Sequence, residues 1–126
     1  MSTTPAPVAA LNDSNTSVDA ISAELFRVVG HPLRVRVLEL LRTHEEMSVR
    51  ELQAALQIES GRASQHLGAL RRQGLLATRR QGTRVFYRVR DPRTFQLLEV
   101  ARQVLASQFE HTQTLLASLS EAPSGK

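Results

Sequence analysis

A chain of 126 residues, 41% of them hydrophobic, fits one domain whose core suffices for folding but is small enough to profit from oligomerisation. It has no cysteine, which excludes disulfides and thiolate metal sites; its N-terminus lacks a basic region followed by an apolar run, and no stretch approaches the roughly 18 apolar residues of a membrane span, so a soluble cytoplasmic protein is expected. The formal net charge of +4 hides a segregation, because Ser60 to Arg93 holds nine arginines and one acid, Asp91, a local +8 against −4 elsewhere, which is the footprint of a polyanionic partner. Codon bias can favour arginine over lysine, but it does not keep acids out of this window.

In chain order, residues 1–19 are rich in Ser, Thr, Asn, Pro and Ala without periodicity and read as a disordered arm. In "DAISAELFRVVG", Ile21, Leu25, Val28 and Val29 share one helical face that stops at Gly30. Pro32 suits the first turn of a second helix with the core stripe Leu33, Val37, Leu40 and Leu41, fading near Thr43. Ser48 followed by Glu51 is a capping box opening a third helix, with Val49, Leu52 and Leu56 inward. A short turn, "QIES", leads to a fourth helix capped by Ser60 or Glu59, and the close spacing of these two helices is that of a helix-turn-helix.

The fourth helix, "GRASQHLGALRRQG", has two faces. Ala63, Leu67 and Leu70 recur at spacings of four and three and point to a core, while Arg62, Gln65, Arg71 and Arg72 lie elsewhere with no acid to neutralise them. Near the helix start, Arg62 can chelate guanine and Gln65 adenine. Ser60, Gly61 and Ser64, with the first N–H groups of the helix, can hold phosphate. Arg71 lies two turns further on, where backbone contact and plain solvation are both open. His66 has two available roles, reaching DNA or packing beside the third helix.

After Gly74 come two short β-prone runs, "LLATRR" and "RVFYRVR", separated by "QGT": a two-stranded hairpin with an arginine-lined outer face, in which Arg80 and Arg84 flank the turn and meet DNA backbone. From the Asp-Pro start signal at Asp91 a last helix runs to about Leu119, with residues 120–126 as a disordered tail. Some 25 helical residues span about 38 Å, more than one small domain covers. Leu25, Phe26 and Val29 of the first helix, with Leu98, Ala101, Leu105 and Phe109 of the last, are therefore expected to meet a second copy across a two-fold axis. The expected fold is mainly α with a small β-hairpin, a winged helix-turn-helix over 20–119 that dimerises through its N- and C-terminal helices.

Three segments together, "LFRVVGHPLRVRVLELL", "SVRELQAALQIESGRASQHLGALRRQGLL" and "RRQGTRVFYRV", covering about two thirds of the chain in order and spacing, resemble the ArsR/SmtB family of bacterial transcription regulators. The resemblance implies a homodimer on double-stranded DNA, with the fourth helix in the major groove, the wing on adjoining backbone or minor groove, and repression as the mode of action. Many members sense metals through cysteines at the start of the third helix. Here the matching stretch is Glu46-Met47-Ser48-Val49-Arg50-Glu51-Leu52, with serine and arginine in place of both thiolates. At a second family site Asp91 is kept, but Arg93, Val104 and Ser107 hold the other positions. No metal or cofactor is therefore expected. His44 with Glu45 and Glu46, and Glu110 with His111, are the remaining donor groupings and read as scattered surface residues; the effector stays open.

No enzyme is indicated: Ser64 and His66 diverge on a helix, no acid orients a histidine, and no glycine-rich phosphate loop follows a strand. RNA binding is disfavoured because Phe86 and Tyr87 are the only aromatics in the basic window. The alternative function is a winged-helix interaction module whose basic window meets an acidic protein partner.

Overall fold

The computed structural model describes residues 17–124. The arm expected over 1–19 lies outside the described residues up to position 16. Its last three residues form the first turn of α1 (Ser17–Val29), which is followed by α2 (Pro32–Thr43), β1 (Met47–Ser48), α3 (Val49–Leu56), α4 (Ser60–Arg72), β2 (Leu76–Gln81), β3 (Arg84–Val89) and α5 (Arg93–Ser124). The chain divides into two compact units, one ending at Arg90 and the other beginning at Asp91. Among the described residues no helix is long and apolar enough to cross a membrane.

In the first unit α1 packs on α2 and α4, and α2 on α3, α4 and β3. In the core Val37, Leu38, Leu41, Leu52, Leu67, Leu70 and Leu76 are almost wholly buried. Leu38, absent from the expected stripe of α2, belongs to it, while Leu33 and Leu40 are only half-buried. Caps explain where the helices begin. The imidazole Nδ1 of His31 accepts the Leu33 N–H at 3.1 Å and opens α2 one residue ahead of Pro32. The Ser48–Glu51 capping box of α3 is complete, with the Glu51 N–H donating to Ser48 Oγ at 3.1 Å and the Ser48 N–H to Glu51 Oε1 at 2.8 Å. Gly74 ends α4 at φ +87°, a value that suits glycine, with the Leu75 N–H on the Leu70 carbonyl at 3.0 Å.

The wing is a three-stranded antiparallel sheet in the order β1-β3-β2, one strand more than expected. The extra strand is Met47–Ser48, pairing with Tyr87 and Phe86. Gly82 at φ +64° forms the two-residue turn between β2 and β3. The register pairs Arg80 with Val85 and Gln81 with Arg84. Because paired residues share a face and neighbours alternate, Arg80 and Arg84 flank the turn from opposite faces of the hairpin, not from one arginine-lined side. The Arg84 face also carries Arg79 and Phe86, whose ring lies 4.5 Å from the Arg79 guanidinium and 5.0 Å from that of Arg84.

In the second unit α5 is a single helix of 32 residues, about 48 Å long, and its backbone carries on beyond Leu119 through five of the residues expected as tail. At its start Asp91 accepts the Arg93 N–H at 2.9 Å and the Arg93 guanidinium at 2.6 Å. Those bonds hold the Asp91 carboxyl at a pKa of about 2.

Candidate nucleic-acid interface

The first turn of α4 is open to a ligand. Its N-cap is Glu59, whose side chain makes no capping bond to the first N–H groups of the helix. Ser60, Gly61, Arg62, Ser64 and Gln65 are all exposed, and a Cβ built on Gly61 would meet nothing within 4 Å. Ala63, Leu67 and Leu70 are buried on the opposite stripe, so the core fixes which way Arg62 and Gln65 face. Gly68 serves the helix itself: the Arg72 guanidinium lies across it, 3.0 Å from where a Cβ would stand.

His66 departs from the surface role. It is 5% exposed and its Nδ1 accepts the Arg34 Nε–H at 3.1 Å, while Arg34 also donates to the Val28 carbonyl at 3.1 Å. An arginine only donates, so His66 Nδ1 is unprotonated and the neutral ring carries its proton on Nε2. Against it lies His31, ring centroids 4.4 Å apart. Burial, then His31, Arg34 and Arg62, push the His66 pKa down. His66 is thus a buried joint between α4 and α2. Position 66 falls three after Ala63 and four before Leu70, a spacing that already places it on the buried stripe.

This burial makes stability depend on pH. The neutral ring is favoured in the folded chain, so its stabilisation is complete above the unfolded value near 6.5 and is lost as pH falls below that through the lower folded value. The midpoint of urea unfolding should therefore drop between about pH 7.5 and 5.5. His66→Asn, which keeps an acceptor toward Arg34, should flatten this drop, and an equal drop in the variant would assign it to other groups.

Electrostatic pairing sorts the arginines. Arg27, Arg42 and Arg93 are paired with Glu24, Glu39 and Asp91. Arg79 is bound by Glu46 through Nε at 2.9 Å and Nη2 at 2.6 Å, and the guanidinium holds the Glu46 carboxyl below its ordinary range. Arg62, Arg71, Arg80 and Arg84 form no hydrogen bond or ion pair with any acid among the described residues. Glu24, Glu39 and Glu46 are thus engaged by Arg27, Arg42 and Arg79, whereas the arginines at the start of α4 and at the wing tip form no ion pair among the described residues. Glu46, one of the donors that could have joined His44, is taken up by Arg79, and His44 Nδ1 lies 3.1 Å from the Leu40 carbonyl of its own helix.

Among the surfaces expected to associate, Phe26, Ala101, Leu105 and Phe109 are exposed, and Leu25 and Val29 half-buried. Leu98, in contrast, is 6% exposed in a single copy and leaves little for a partner.

A family model described as a helix-turn-helix domain matches residues 29–79. The chain is similar to Rv0081, an uncharacterized helix-turn-helix-type transcriptional regulator of Mycobacterium tuberculosis, with 45% identity over 87 residues that span 68% of this chain and 75% of the relative. The crystal structure of Rv0081 superimposes with a TM-score of 0.70 and 41% identity, over 75% of this chain and 94% of that one. A biofilm growth-associated repressor of Agrobacterium fabrum is 32% identical over 83% of this chain and 86% of its own length. The homodimeric winged helix-turn-helix DNA-binding domain of Mb0332 from Mycobacterium bovis, a possible ArsR-family regulator, matches with a TM-score of 0.65 and 28% identity over 88% of this chain and 95% of that domain.

Proposed function

The chain belongs to the ArsR/SmtB-type winged helix-turn-helix transcriptional regulators, and from that membership we propose that it is a homodimeric repressor which occupies a palindromic operator, α4 in the major groove and the wing on the neighbouring backbone. The observation that carries the reading is the sorting of charge: among the described residues the cations at the first turn of α4 and at the wing tip form no ion pair while others are paired. Arg62 and Gln65 read base edges. Ser60, Gly61 and Ser64 seat a phosphate at the uncapped helix start, and Arg71, Arg80 and Arg84 add backbone contacts. Repression and two-fold assembly are supported by the relatives, one called a repressor and another homodimeric.

Fluorescence anisotropy on a duplex selected from genomic fragments, against random duplex over a range of salt, tests the reading. Steep salt dependence with a clear preference for the selected sequence is expected. A protein adaptor for an acidic partner would show no preference among duplexes. Arg80→Ala should weaken both duplexes alike and reduce the log–log salt slope by about 0.9, since one phosphate fewer is then neutralised. A loss of preference in this variant would mean that Arg80 reads sequence.

A further inference from the structure

Between α3 and the wing tip lies a cleft of about 630 Å³, lined by Val49, Arg50 and Gln53 of α3 and by Thr83, Arg84 and Val85 of the wing. Its two arginines come from segments more than thirty residues apart, yet their spacing is set by the fold: Ser48, whose peptide leads directly into α3, is paired in the sheet with Phe86, two residues beyond Arg84. Arg50 sits in the first turn of α3, where the partial positive charge of the helix end disfavours a cation, and it makes no hydrogen bond or ion pair among the described residues. The Arg84 guanidinium lies over the Phe86 ring, 5.0 Å from its centroid, and close enough to the Glu51 carboxylate to help lower its pKa. That carboxylate accepts the Ser48 N–H at 2.8 Å at the start of α3, the bond that lowers its pKa most, and Glu51 does not line the cleft. Two cations thus line one cleft, and no acid stands among its lining residues.

We infer that this cleft is a phosphate site, in which Arg50 and Arg84 hold one tetrahedral oxyanion from α3 and from the wing and Gln53 and Thr83 donate neutral hydrogen bonds. The planar guanidinium fork matches phosphate oxygens better than any other side chain. The phosphate has two sources, the backbone of a DNA strand running past the wing tip or a phosphorylated small molecule. The strand is the expected one, a choice that rests on the DNA-binding reading above, because both the wing tip and α3 border the surface assigned to DNA.

The test uses the full chain and the variants Arg50→Ala, Arg84→Ala and their double, with Arg36→Ala on the exposed side of α2 as a control for general charge. Each is titrated with random duplex over a range of salt, and by calorimetry with inorganic pyrophosphate at constant ionic strength. With a DNA phosphate in the cleft, Arg50→Ala lowers the salt slope by about 0.9 while Arg36→Ala does not, and the double variant loses less than the product of the single losses because both arginines serve one group. With a small-molecule phosphate, the slope of Arg50→Ala stays at the wild-type value, while pyrophosphate binds the wild type and fails to bind either single variant. An unchanged slope together with no pyrophosphate binding, or an equal fall of slope in Arg36→Ala without pyrophosphate binding, overturns the site. If the wild type binds no duplex at all, the DNA-binding reading fails by itself and the pyrophosphate titration alone decides the cleft.

Discussion

Alanine in place of Arg62 or Gln65 is expected to weaken operator binding by about 1–3 kcal/mol, roughly five- to 150-fold, while random duplex is bound nearly as before. The reason lies in the orientation of α4. Ala63, Leu67 and Leu70 are buried, so the helix has no rotational freedom, and the exposed Arg62 and Gln65 project from its first two turns. A bidentate base contact is specific to its partner, and its removal exposes a groove edge that only the matched operator supplied. Phosphate contacts are common to all duplexes, so removing one lowers both affinities together. The measurement is the ratio of operator to random affinity at one salt concentration, with circular dichroism verifying each fold. A wing variant that loses discrimination while Arg62→Ala keeps it would move the reading head from α4 to the wing.

The second large effect is expected on assembly. Leu105 and Phe109 are each 62% exposed on α5, and with Ala101 and Leu116 they recur at helical spacing along one stripe. Burying a leucine or phenylalanine against a partner contributes about 1.5–3 kcal/mol, and a two-fold interface counts each replaced residue twice. Glutamate at both positions should therefore shift sedimentation at micromolar concentration from dimer to monomer. The change leaves the fold intact, since both side chains face water in a single copy. Leu98→Glu is a poorer probe, because Leu98 is already buried and its replacement would cost folding as well. A double variant that stays dimeric would place the two-fold contact away from this stripe.

Most of the framework was legible because it repeats or is punctuated. The Ser48–Glu51 capping box, Pro32 at the head of α2 and the period of α4 are local signals, and each stands where the residues put it. What was not legible depended on partners distant in sequence. A two-residue strand such as β1 has no periodicity to read, and its partner Tyr87 is fixed only by tertiary structure. His31 was missed as a cap because imidazole is not among the usual capping groups. The opposite faces of Arg80 and Arg84 were within reach, since a two-residue turn at Gly82-Thr83 sets the parity of the whole hairpin. Arg79 showed the limit of counting charge: nothing in the local sequence signals that Glu46, thirty-three residues earlier, neutralises it.

The third strand of the wing also bears on how the chain folds in time. β2 and β3 close across two residues, an event of about 1–10 μs in isolated hairpins. β1 joins β3 across a loop of about 40 residues, and with roughly 0.6 kcal/mol for each doubling of loop length its closure entropy exceeds that of the hairpin by about 2–3 kcal/mol. That pairing becomes favourable only after the intervening α3, α4 and β2 have shortened the path by packing together. Met47, buried in β1, then belongs to the late part of the reaction. Truncating it to alanine should accelerate unfolding while leaving the refolding rate almost unchanged, the kinetic mark of an interaction made after the barrier has been crossed.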